Sequence, residues 1–209
     1  VIPANQAVPI PDGISDEVAA AVMLKGLTAH YLIHHSYAAQ VGDTVLVHAA
    51  AGGVGLIAGQ WLAARGIRAI GTAGGAAKVA LARANGYAHV IDYCAGDFVP
   101  EVKAFTEGQG LQAVYDSVGH DTIMGSLACL ATFGTLVSFG QSSGPPDDLR
   151  VSHLANASLR LTRPTLFHHT ATPGWLPRAA ADLFAVIRNG AVKVHIGQTL
   201  TLTEAAAAH

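Results

Sequence analysis

Three features of the sequence point to an α/β domain built on a doubly wound, six-stranded parallel sheet. Short apolar runs alternate with helical patterns over residues 44–162. The first of these runs are apolar on both faces, as strands covered by helices on both sides must be. The stretch 45–55, VLVHAAAGGVG, reads as a buried strand entering a small-residue turn and then a helix.

The elements follow in order. Residues 1–13 read as extended, punctuated by Pro3, Pro9 and Pro11 and closed by a Pro-Asp-Gly turn. Ser15 is an N-cap for a helix over 16–23, and Gly26 divides it from a second helix over 28–35. A strand over 44–49 precedes a helix over 54–65 closed by Gly66, and a strand over 68–72 precedes a helix over 76–85 closed by Gly86. Glycine just past a helix end supplies the left-handed residue that terminates it. Next come a short strand at 89–92, a helix at 98–106, a strand at 112–116, a helix at 121–130 and a strand at 135–139. A Gly/Pro-rich loop over 141–148 leads to a helical turn at 151–155 and a sixth strand at 158–162. The rest departs from the rhythm: a helix over 176–189 ended by Gly190, a strand at 192–196, and a helix beginning near Thr203, its N-cap.

Composition narrows the function. Half of the 209 residues are hydrophobic, much of that Ala, and 12% are charged. The net charge is −2 with no basic face, so a nucleic-acid partner is not expected. Two cysteines, Cys94 and Cys129, are too few for a disulfide framework and fit a reducing cytoplasm. Residues 45–64 are apolar, but His48, Gln60 and the Gly52-Gly53 turn interrupt them, so no membrane span is expected. The opening residues carry no secretory signal pattern. Eleven histidines raise the question of metal. The adjacent pairs His34-His35 and His168-His169 do not share one face, and no Cys-x-x-Cys or His-Glu-x-x-His is present, so no metal site is expected. A Gly-x-Ser-x-Gly elbow is absent, and no acid, base or nucleophile stands out as catalytic.

The chemistry lies in the turns. The spacing Ala49-x-x-Gly52-x-x-Gly55, with Gly53 added, is the dinucleotide fingerprint with Ala in place of the first Gly. It equally suits a tight turn in any α/β protein. In NAD sites an acidic residue after the second strand holds the ribose 2′-hydroxyl. Here that strand runs out through Thr72, Ala73, Gly74 and Gly75 with no carboxylate. Lys78 follows in the next helical turn and Tyr93 closes the third strand. A solvated lysine and a packing tyrosine are the plain alternatives. Together, without a carboxylate, they favour a 2′-phosphate and hence NADPH. Ser117 and Gly119 after the fourth strand, and Phe139 and Gly140 after the fifth, lie at the carboxyl edge where ligands of this fold bind.

The runs Leu24-Lys-Gly-Leu-Thr-Ala, His48-Ala-Ala-Ala-Gly-Gly-Val-Gly, Val114-Tyr-Asp-Ser-Val-Gly, Val137-Ser-Phe-Gly and Leu161-Thr-Arg-Pro, in this order, closely resemble one family. It is the NADPH-dependent quinone oxidoreductases, which include zeta-crystallin, in the zinc-free branch of the medium-chain dehydrogenase/reductase superfamily. The resemblance implies Thr28 near the nicotinamide, and Ala51, Gly52, Gly53, Val54 and Gly55 around the pyrophosphate. It implies Gly74, Lys78 and Tyr93 at the 2′-phosphate, and Ser117, Phe139, Gly140 and Arg163 along the rest of the cleft. It implies a homodimer joined through the strand at 158–162. Residues 1–23 would be the tail of a GroES-like catalytic domain, 24–166 the cofactor domain and 167–209 the start of the return into the catalytic domain. The chain is thus expected to be a fragment of an enzyme, inactive alone, whose parent passes hydride or electrons from NADPH to a quinone-like small molecule. The alternatives are an NADPH-dependent enoyl or enone reductase and, from another class, a cofactor-gated RNA-binding module or a dimerisation module without turnover. The lack of a basic stripe speaks against RNA.

Overall fold

The computed structural model of the protein describes residues 3–208. Six parallel strands form one sheet in the order β3-β2-β1-β4-β5-β6, with β1 Thr44–Val47, β2 Arg68–Ala73, β3 His89–Asp92, β4 Leu111–Asp116, β5 Leu130–Ser138 and β6 Arg160–Thr162. The expected doubly wound architecture is the observed one. The chain leaves β1 towards β2 and β3, then returns past β1 to β4. The crevice between the β1 and β4 exits is therefore the switch point of the sheet.

Side-chain alternation along the strands builds two cores. Val45, Val47, Ala113, Tyr115 and Val137 point to one face, where they meet α1 (Asp16–Tyr31), α2 (Gly53–Ala64) and α7 (Trp175–Arg188). Leu46, Ile70, Val114 and Leu136 point to the other, against α4 (Phe98–Phe105) and α5 (Ile123–Cys129). The remaining helices are α3 (Ala76–Arg83), α6 (Leu166–Ala171) and the short α8 (Ala205–Ala208). Ser15 caps α1 as expected, accepting from the Val18 N–H at 3.3 Å. Gly66, Gly86 and Gly190 lie just past α2, α3 and α7 with φ of +73°, +90° and +79°.

Five local expectations are corrected. Gly26 does not divide two helices, because α1 runs unbroken to Tyr31 and widens into a π-helical turn at Leu32–Ser36. A Cβ at residue 26 would lie 2.6 Å from both Leu183 methyls, so this glycine serves the α1–α7 contact. Residues 192–196, all described, form no strand. The Gln60 side chain takes the main-chain bonds of Lys193 instead: its Oε1 accepts from Lys193 N at 2.8 Å and its Nε2 donates to Lys193 O at 3.1 Å. The sixth strand begins only at Arg160, because Ser158 turns left-handed at φ +52°. The last helical segment is capped by Thr201 paired with Glu204, not by Thr203. The opening stretch contains a 3-10 turn at Ala4–Gln6. Helix α6 was not anticipated, since six residues show too little periodicity to register.

Candidate functional site

The turn after β1 follows from its small residues. Ala49 takes φ +53°, a conformation in which glycine is unstrained and alanine costs about 1–2 kcal/mol. It is the residue that replaces the first glycine of the fingerprint. Its carbonyl accepts the Gly52 N–H at 2.9 Å, and the Ala50 N–H donates to Thr72 O at 2.9 Å, tying the turn to the end of β2. Gly52 is the N-cap of α2 and has no side chain to cover the first-turn N–H groups. A Cβ on Gly55 would lie 2.5 Å from Ala49 O and 2.6 Å from Ala50 O, so only glycine lets α2 start this close to the turn. The Lys25 side chain lies across Gly53, where a Cβ would be 2.6 Å from its Cε. Ala51, Gly52, Gly53, Val54 and Gly55 thus form an open helix N-terminus suited to an anion.

On the β2 side, the Tyr93 ring lies over Gly74, where a Cβ would be 2.7 Å from both Cζ and Oη. Asp92 joins the two turns, accepting from the N–H groups of Gly75 (2.9 Å) and Cys94 (3.0 Å). The Gly75 bond first, then that of Cys94, holds its carboxyl below the usual carboxylate range. Lys78 is exposed on the first turn of α3, beside this corner in sequence. Tyr93 also lines a cavity of about 510 Å³ with His48, Ala49, Thr72, Phe98, Val118 and Ser142.

On the other side, the turns after β4 and β5 are joined. Phe139 N donates to Asp116 O at 2.8 Å and Ser142 N to Ser117 O at 3.1 Å. A Cβ on Gly140 would meet Ser117 O at 2.6 Å, so the glycine permits this approach. Thr28, Tyr31, Phe139, Arg163, Pro164 and Leu166 line a second cavity of about 460 Å³. Thr28 donates its hydroxyl proton to Leu24 O at 2.8 Å, which leaves the oxygen free to accept. The Arg163 guanidinium donates to Ser138 O at 3.0 Å, which fixes it at the β5 exit. Burial pushes the Tyr31 phenol up, against the opposing pull of Arg163, and keeps it protonated.

The residues singled out in the sequence therefore fall at one crevice edge in three groups: the helix N-terminus, the Gly74–Tyr93 corner with Lys78, and the Thr28–Phe139–Arg163 cavity with Ser117 and Gly140 at its side. The sequence reading missed His48, Thr72, Phe98, Val118 and Tyr31. A histidine and a threonine at the ends of otherwise apolar strands were the available signal. Among the described residues no three or more His, Cys, Asp or Glu are grouped to hold a metal ion, so the residues present do not fit a zinc centre. No helix among them is long and apolar enough to cross a membrane.

Comparison with known proteins agrees with this geometry. The zinc-binding dehydrogenase family model matches residues 53–181, more than half of the chain. A quinone oxidoreductase of Pseudomonas aeruginosa is 46% identical over 210 residues, covering 100% of this chain and 65% of its own length. A 2-haloacrylate reductase of a Burkholderia species is 38% identical, covering 99% of this chain and 63% of its own. A solved structure of a mycobacterial protein complexed with NADPH superposes with a TM-score of 0.93 at 45% identity, over 99% of this chain and 64% of that one. The chain thus spans slightly less than two-thirds of these relatives. Fold, fingerprint and similarity agree: this chain belongs to the zinc-binding dehydrogenase family, where it is similar to quinone oxidoreductases.

Proposed function

We propose that this chain is the NADPH-binding unit of an oxidoreductase that reduces quinones or similar electron-poor acceptors. The observation that carries the reading is the Gly74 corner: no carboxylate follows β2, Tyr93 covers Gly74 and Lys78 stands on the next turn. A ribose 2′-phosphate finds a hydroxyl and an ammonium there, and the carboxylate of the corner, Asp92, is taken up by the Gly75 and Cys94 N–H groups. NADPH, when bound, supplies the hydride. The open N-terminus of α2 at Gly52–Gly55 receives the pyrophosphate through backbone N–H groups. Ser117 and Gly140 shape the cleft wall. Thr28, Phe139 and Arg163 orient the nicotinamide end, with Thr28 Oγ1 as an acceptor and the Phe139 ring as an apolar wall. No residue of this chain is assigned proton transfer.

Titration calorimetry with NADPH and with NADH tests this. Clear preference for NADPH is the expected result, and equal affinity or no binding of either would sink the reading. A second reading, reduction of an activated alkene, is favoured by the similarity to a 2-haloacrylate reductase. Quinone and 2-haloacrylate assays on the enzyme that contains this chain separate the two.

Residues 24–166 are proposed as the cofactor unit, the first boundary falling inside α1, with 1–23 and 167–209 adjoining a catalytic domain. A homodimer through β6 is part of the proposal: Arg160 and Leu161 are exposed on this edge strand, whose free ladder groups invite a two-fold mate. Sedimentation velocity should give a dimer that Leu161→Pro dissociates. A cytoplasmic location is proposed on the two free thiols, Cys94 and Cys129.

A further inference from the structure

The floor of the crevice holds a buried polar chain that the cofactor reading leaves unused. His48 follows β1 and is 2% exposed. Its Nδ1 lies 2.9 Å from Thr72 Oγ1 in β2, and its Nε2 lies 3.0 Å from Ser126 Oγ in α5. Ser126 in turn donates to Asp116 Oδ2 at 3.0 Å. Asp116, at the end of β4, is wholly buried. Its carboxyl also accepts from the N–H groups of Val118 (2.8 Å) and Gly119 (3.0 Å) and from the Thr122 hydroxyl (2.8 Å).

The proton positions follow from the chemistry. Every group facing the Asp116 carboxyl is a donor, so Ser126 gives it its only proton. Ser126 can then only accept from His48, which places a proton on Nε2. Burial, opposed by the Asp116 charge, pushes the pKa of His48 down and favours the neutral imidazole. With its proton on Nε2, the neutral ring leaves Nδ1 as the acceptor for the Thr72 hydroxyl.

A need for packing alone does not explain this chain. Replacing a satisfied buried pair by apolar groups of similar shape is nearly neutral for stability. The site also has an apolar neighbour suited to such a replacement, the Phe98 ring edge-on to His48 at 4.9 Å. What the chain does is join the two banks of the crevice. Thr72 lies two residues before Gly74. Asp116 organises the turn carrying Val118, to which the loop after β5 is joined by Ser143 N donating to Val118 O at 2.9 Å. His48, Thr72, Val118 and Thr122 all line the cavity of about 510 Å³.

We infer that His48 is a positioning residue for the adenosine end of the dinucleotide, holding the β2 and β4 banks at the separation that the adenosine 2′-phosphate half requires. This rests on the NADPH reading above. The test is calorimetry of this chain with 2′,5′-ADP alongside its thermal midpoint, for wild type, His48→Leu, His48→Gln and Thr72→Val. The expected result is a loss of about tenfold in 2′,5′-ADP affinity for His48→Leu, about 1.4 kcal/mol. His48→Gln should recover most of it, because its amide N–H can donate to Ser126. Thr72→Val, which removes only the donor to Nδ1, should show a similar loss if His48→Leu fails to fold. Affinity that is unchanged in the folded variants, or that simply tracks the thermal midpoint with no recovery by Gln, overturns the inference and leaves the NADPH reading standing. Failure of the wild type to bind 2′,5′-ADP overturns both.

Discussion

If Lys78 holds the 2′-phosphate as proposed, Lys78→Ala isolates that contact from the rest of the cofactor site. Lys78 is exposed on the first turn of α3, and its removal disturbs no packing. A hydrogen bond to a charged group is worth about 1.5–3 kcal/mol. The exposed position places Lys78 in the lower part of that range, since solvent and salt screen a surface charge. About 1.5–2 kcal/mol corresponds to a loss of roughly 10- to 30-fold in NADPH affinity. NADH, without the phosphate, should bind Lys78→Ala as it binds the wild type. Tyr93, over Gly74, would still offer its hydroxyl, so NADPH binding should weaken without vanishing. Calorimetric titrations with both cofactors at low and at moderate ionic strength read the effect. The NADPH preference of the wild type should shrink with salt, and that of the variant should respond less. Equal losses for the two cofactors would refute the assignment of Lys78, because a phosphate contact cannot act on a ligand that lacks the phosphate.

Three further outcomes follow from the structure. Gly55→Ala sets a Cβ 2.5 Å from the Ala49 carbonyl, where only backbone can yield; overpacking of this kind costs about 1–3 kcal/mol. Its melting temperature should drop by several degrees and both cofactors should weaken together, so normal binding would show that the turn does not hold the pyrophosphate. Gly26→Ala should also lower the melting temperature, since the clash with Leu183 outweighs a gain in helix propensity of at most about 1 kcal/mol, while cofactor affinity stays unchanged. A rise in melting temperature would show that α7 yields freely. Burial lowers His34 to about 4, and it lowers His30 and His169 as well, so these groups bind protons more readily unfolded than folded. Their contribution is fully present above pH 6.5 and is lost as pH falls from there towards 4, so the melting temperature should decline over that window, less steeply in His34→Gln. A pH-independent melting temperature between 7 and 5 would contradict this.

The architecture was legible in local patterns of the chain. Over residues 44–162 short apolar runs alternate with glycine-ended helical stretches, and that rhythm marks out a covered parallel sheet. Runs such as Val45–Val47 are apolar at every position because both faces of the strand are covered. Gly66, Gly86 and Gly190 could be read as helix ends because a left-handed residue there is a local requirement, independent of what packs around it. The fingerprint turn was legible for the same reason, down to Ala49 occupying the strained position of the missing glycine.

Features that depend on partners distant in sequence were not legible in this way. Gly26 looks like a helix break until Leu183 is found against it, at a site where any side chain would collide. Residues 192–196 carry strand-like side chains, yet the Gln60 amide takes both main-chain bonds of Lys193, the Val192 N–H goes to Val186 O, and no ladder forms. Arg163 and Thr28 meet at one cavity although far apart in the chain. The tautomer of His48 could not be read from its neighbours in sequence, because the groups that direct its proton come from β2, α5 and β4. Local backbone geometry is written in short patterns, whereas the partners of a buried polar group are settled by which strands the sheet sets side by side.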